Sequence, residues 1–152
     1  MKLAEVLSLR ADLQKRLAQL KVRIKNAAKI QEGDTPAEDP KEMMQEYLDG
    51  LSQLEGLIVR INKTNQETTM ADGHTLMEKI VHRDILTKQV SMQTETCNYL
   101  TEMTNRYSRQ EIKYVNVLDA AAIRKQADEC SKRLCQVDVE IQAANWTIDL
   151  CE

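Results

Sequence analysis

Two histidines and four cysteines are the side chains in this 152-residue chain with the most to offer catalysis or a metal ion. A di-iron centre between helices needs Glu-x-x-His twice, on facing helices. Here Glu78 and His82 stand four apart and the other histidine is His74, so that pattern is not met. Zinc needs converging cysteines and histidines. Cys130 and Cys135 lie five apart, about 140° around a helix, and point away from one another. Cys97, Cys130 and Cys151 fall on apolar helix positions and are expected to act as small core residues. No glycine-rich loop could cradle a phosphate, and no local context supports a Cys–His nucleophile pair. The expectation is a protein that is not an enzyme and takes no metal or cofactor.

Two groups of polar residues remain. If the helices run up and down, Arg10, Asn62, Asn65, Arg83, Asp84 and Asn145 all fall near one pole, beside Trp146. The favoured reading is a hydrogen-bonded layer that sets helix register; the alternative is an anion or small-ligand site built on two guanidinium groups. At the other pole Arg106, Tyr107, Ser108, Arg109 and Lys113 make a basic loop with one aromatic, a candidate for touching a partner.

The elements that must position these residues are long helices. The organising stretch is the last one, Asp119 to Cys151. Ile123, Ala127, Cys130, Leu134, Val137, Ile141, Ala144, Ile148 and Cys151 recur there at gaps of four and three, an unbroken heptad seam. Asp119 can cap its first turn. A second stripe, Val139, Ala143, Trp146 and Leu150, occupies the opposite side of its second half, so this helix needs two sets of neighbours.

Helix one is expected over residues 3–28, with Leu3, Val6, Arg10, Leu13, Leu17, Leu20, Ile24 and Ala27 on its seam. A linker with Gly33 and Pro36 follows, and Asp39-Pro40 opens helix two as N-cap and N1. Helix two is expected to reach Lys63, with Met44, Tyr47, Leu51, Leu54, Ile58 and Ile61 on its seam. Gly50 and Gly56 each weaken it by about 1 kcal/mol relative to Ala, which points to close packing at both. Asp72-Gly73 marks a turn, Thr75 with Glu78 a capping box, and helix three runs to about Tyr107. The connectors around Thr68-Thr69-Met70 and residues 111–117 alternate like short strands, but loops are the favoured reading.

Composition agrees. There is no Phe, one Trp and four Tyr, with four Gly and two Pro, which suits slender aliphatic helices and few turns. The expected fold is all-α: one domain over residues 1–152, an up-and-down four-helix bundle of long, coiled-coil-like antiparallel helices. A chain of this length buries about 68–70% of its unfolded surface. Glu5 and Arg10 interrupt any apolar leader, and no run reaches roughly 18 apolar residues. The expectation is a cytoplasmic protein with reduced thiols.

Charge is uneven. Residues 1–30 hold eight basic side chains against two acidic ones, and residues 31–55 hold eight acidic ones and a single Lys41. Folding helices one and two into a hairpin would set these charges against each other. That argues against nucleic-acid binding by helix one, which also lacks stacking aromatics.

Several segments together resemble a known family. They are Arg10-Ala11-Asp12-Leu13-Gln14-Lys15-Arg16, Gln31-Glu32-Gly33, Pro36-Ala37-Glu38-Asp39-Pro40 and Arg60-Ile61-Asn62-Lys63-Thr64-Asn65. With them go Asp72-Gly73, Thr75-Leu76, Arg83-Asp84, Arg106-Tyr107-Ser108-Arg109-Gln110-Glu111-Ile112-Lys113 and Asn145-Trp146. The resemblance covers nearly the whole chain and is to small uncharacterised bacterial helical proteins, some of which are named septicolysin. That name implies an oxygen-sensitive cytolysin. Three classes of function therefore stand side by side. The leading one is a non-enzymatic bundle that forms homo-oligomers through its C-terminal helix and acts as a binding or scaffolding module of unknown partner. A membrane-acting cytolysin and a nucleic-acid-binding hairpin are the alternatives.

Overall fold

The computed structural model describes residues 1–102, 112 and 114–151. Four helices are described: α1 (Leu3–Ala27), α2 (Pro40–Glu67), α3 (Leu76–Thr101) and α4 (Ala120–Thr147). The described residues contain no strand beyond two isolated bridges, Lys2 with Asp149 and Thr69 with Thr75. The fold is all-α, as expected. The chain divides into two compact units, Met1–Met77 with Gln142–Glu152, and Glu78–Ile141.

The first unit is built on the α1–α2 hairpin. The heptad of α1 appears as expected: Leu3, Val6, Leu17, Leu20 and Ile24 are buried, and Arg10, Leu13 and Ala27 are half-buried between them. Asp39 caps α2, its Oδ1 accepting the Lys41 N–H at 2.8 Å, with Pro40 in the first turn where no amide is needed. Leu20, Ile24 and Met43 form a core cluster with Ala27 and Tyr47 packed against it.

The expected seam of α2 needs correcting. The residues turned inward are Met43, Tyr47, Gly50, Leu54, Leu57, Ile61 and Thr64, whereas Met44, Leu51 and Ile58 are exposed. Tyr47, Leu54 and Ile61 of the expected seam do face inward, and the other three belong to a second heptad one residue away from the buried one. Gly50 lies on the buried one. A Cβ there would stand 2.7 Å from Leu17 Cδ2, so with any larger residue the buried Leu17 methyl would have to shift. Close packing at Gly56 is also corrected, because a Cβ there would meet nothing within 4 Å.

The ends of this unit are tied by backbone. The helix expected to run to Cys151 stops at Thr147, because residues 148–151 turn to hydrogen bond elsewhere. The Leu3 N–H donates to Ile148 O at 2.9 Å and the Leu150 N–H to Met1 O at 3.0 Å. α2 runs four residues beyond the expected Lys63, to Glu67. The turn that follows holds Gly73 at φ +87°, a conformation favouring glycine, and Asp72 Oδ1 accepts the His74 N–H at 3.2 Å.

The second unit is the antiparallel pair of α3 and α4. Asp119 caps α4, its Oδ1 accepting N–H groups of Ala121 at 2.9 Å and Ala122 at 3.3 Å. In this unit the seam of α4 is as expected, with Ala127, Cys130, Val137 and Ile141 buried and Ile123 and Leu134 half-buried. α3 answers with Leu86 and Cys97 buried and Arg83, Val90 and Gln93 half-buried. The Cys97 thiol donates to Ala120 O at 3.6 Å, and Lys79 Nζ meets Glu140 Oε2 at 2.8 Å. The described part of the connector, 112 and 114–119, is loop, with the Asn116 amide donating to Leu100 O at 3.0 Å.

Candidate interaction surfaces

The polar residues singled out from sequence are divided between the two units. Arg10, Asn62, Asn65, Asn145 and Trp146 belong to the first unit, Arg83 and Asp84 to the second. Arg10 is half-buried, with its Nε shut away from solvent and no hydrogen-bond partner among the described residues. Asn145 is buried, Asn65 half-buried, and Asn62 exposed. Arg83 already faces carboxylates: its Nε and Nη2 donate to Asp84 Oδ1 at 3.1 and 2.8 Å, and Asp138 Oδ1 is 3.9 Å from Nη1. A guanidinium so engaged is a poor receptor for an added anion. Arg106, Tyr107, Ser108, Arg109 and Lys113 lie outside the described residues.

The cysteines sort by burial. Cys97 and Cys130 are buried on the seam, Cys151 is half-buried, and Cys135 is exposed, all as free thiols. Among the described residues no group of three His, Cys, Asp or Glu side chains is placed to hold a metal ion.

Apolar surface is the more telling feature. Trp146 is 65% exposed and Val139, two turns earlier on α4, is 63% exposed; Ala143 between them is exposed too. Among the described residues, Val139, Ala143 and Trp146 of the expected second stripe are thus uncovered, whereas Leu150 lies beyond the helix end and is half-buried. α2 carries another such stripe, Met44, Leu48, Leu51 and Ile58, exposed by 46, 50, 40 and 36%, of which Met44, Leu51 and Ile58 were expected in its core. The signal was present as the 44-48-51-55-58 heptad, one residue out of phase with the buried one. On α3, Val81, Ile85 and Met92 also face solvent.

Charge on the α1–α2 hairpin follows the expected pattern on one side. Arg16 pairs with Glu46, and Arg23 pairs with Glu38 of the linker. The Arg23 guanidinium holds the Glu38 carboxyl below its ordinary range, and its own pKa is raised in return. This side forms an open groove of about 460 Å³, floored by Leu13, Leu17 and Leu20 and rimmed by Glu42, Glu46 and Asp49. At the tied ends, Lys2 Nζ donates to Thr147 O at 3.0 Å and Asp149 Oδ2 at 2.8 Å, and this bond lowers the Asp149 pKa.

Comparison with known proteins places this architecture. A family model matches residues 10–150, nearly the whole chain. The chain belongs to DUF6847, a family of unknown function. It is also similar to a solved protein from Corynebacterium diphtheriae, described as a functionally unknown conserved protein. The two share 41% identity over 99% of each chain, with a TM-score of 0.93. Among curated proteins no similar sequence is found.

Proposed function

We propose that this DUF6847 member is a non-enzymatic helical bundle that associates with further copies of itself and acts as a binding or scaffolding module. The exposed outer face of α4 is the contact. The observation that carries this reading is Trp146, the single tryptophan of the chain, left 65% exposed on the apolar stripe. A tryptophan buries roughly 150–250 Å² when covered and is enriched at the centre of protein interfaces. The same residue offers the test. Its fluorescence emission should shift to shorter wavelength as protein concentration rises, in step with mass measured by light scattering. Trp146→Glu should shift that association by at least tenfold in concentration. A strict monomer at micromolar concentration would remove the reading.

The name septicolysin carries a cytolytic alternative, supported by the sequence resemblance alone. No described helix is long and apolar enough to cross a membrane. Leakage from liposomes, measured across pH and redox conditions, would favour it. The nucleic-acid alternative is weakened by the engagement of Arg16 and Arg23 with carboxylates. Flow-through on a phosphate resin at low salt would discard it.

A further inference from the structure

We infer that the α1–α2 hairpin bears a second self-association face, distinct from that of α4, on which the same face of another copy lies antiparallel across Leu51. The face is the α2 stripe of Met44, Leu48, Leu51 and Ile58, flanked by α1. It lies about 100° around α2 from the seam that packs on α1, as expected for a helix with two neighbours. Near one end a notch of about 180 Å³, almost wholly apolar, opens between Ile24, Met44 and Tyr47, with Lys21 and Lys25 as its remaining walls.

Charge identifies the occupant. On the opposite side of the hairpin the arginines are paired within the chain. On this side, among the described residues, Lys21, Lys25 and Glu55 form no ion pair. The separation explains why. Both lysines stand level with Met44 and Tyr47, whereas Glu55 lies eight residues, about 12 Å, further along α2.

A two-fold axis at Leu51 removes that separation. Tyr47 and Glu55 are each four residues from Leu51, so the axis brings the partner copy's Glu55 level with Tyr47, beside Lys21 and Lys25. The same operation sets Met44 against Ile58 of the other copy. One face thus supplies both halves of its own complement, as an isologous contact requires. Ala11 and Ala18 of α1, exposed and at heptad spacing with Lys25, leave room for the incoming helix to lie in the groove. Both helices of each hairpin then contribute toward the roughly 800 Å² per partner of a stable interface.

The test is sedimentation of the full chain in a Trp146→Glu background, which silences the α4 face. A dimer should remain, and Leu48→Glu with Leu51→Glu should reduce it to monomer without loss of helix by circular dichroism. Glu55→Lys, or Lys21→Glu with Lys25→Glu, should each weaken the dimer by tenfold or more. The three charge reversals combined should restore it. An unchanged mass in the Leu48/Leu51 variant, no restoration by the triple reversal, or a monomer that instead captures an acidic amphipathic peptide would overturn the inference. Failure of the α4 contact is read separately, from the fluorescence of Trp146 in the wild type.

Discussion

Leu17 occupies the space that a side chain on residue 50 would need. Its Cδ2 stands 2.7 Å from where a Cβ on Gly50 would be, and Leu17 itself is buried. This contact lies in the seam of the α1–α2 hairpin beside the Leu20, Ile24 and Met43 cluster. Gly50→Ala gains about 1 kcal/mol of helix propensity but overpacks the seam at a cost of roughly 1–3 kcal/mol. A net loss of about 1 kcal/mol is expected. Gly56→Ala, with open space around it, should instead gain about 1 kcal/mol. Urea unfolding of the two variants separates them by sign.

Thr64 is fully buried near the end of α2, and its hydroxyl holds the tail. Oγ1 donates to Arg60 O at 2.8 Å and accepts the Cys151 N–H at 3.0 Å. The Arg60 Nε donates to Cys151 O at 3.1 Å from the same helix. Thr64→Val keeps the shape and removes the hydroxyl, so stability should fall by about 1–2 kcal/mol. Hydrogen exchange of the Cys151 amide should accelerate more than exchange within α1.

Thiol accessibility gives a check on the seam of α4. Cys135 is exposed, whereas Cys97 and Cys130 are buried. An alkylating reagent should modify Cys135 within minutes in native buffer. Cys97 and Cys130 should react only once denaturant unfolds the α3–α4 pair, and mass mapping of the labelled peptides measures this.

Acid should loosen the tied ends. Lys2 lowers the Asp149 pKa below its ordinary 3.8 by a hydrogen bond, and Arg23 likewise lowers that of Glu38 below 4.5. In both cases the unfolded chain binds the proton more readily than the folded one. The stabilisation is therefore full above these ordinary values and is lost as pH falls through them toward the folded-state values. Both pairs are exposed, so the effect is small. The protection factor of the Leu150 amide, its exchange measured against the unfolded-chain rate at each pH, should fall between about pH 5 and pH 3, and Asp149→Asn should flatten that dependence.

The heptads of α1 and α4 were legible from sequence because each has one dominant apolar stripe in the region where it packs, interrupted in α1 by Arg10 alone. Local chemistry was equally plain: Asp39 and Asp119 cap helices and Gly73 takes a left-handed turn, all through contacts within three residues. α2 was not legible in the same way. It carries two heptads one residue apart, and hydrophobicity favoured the Met44–Leu51–Ile58 line over one that contains a glycine. The packing of α1 covers the other, with Leu17 over Gly50 and Leu20 and Ile24 against Met43. Nor could sequence show that residues 148–151 leave the helix, since their competing hydrogen bonds come from Met1 and Leu3 at the far end of the chain. Periodicity is a property of one segment and can be counted along it. Which of two greasy faces is covered depends on a neighbouring surface, and that exists only once the chain has folded.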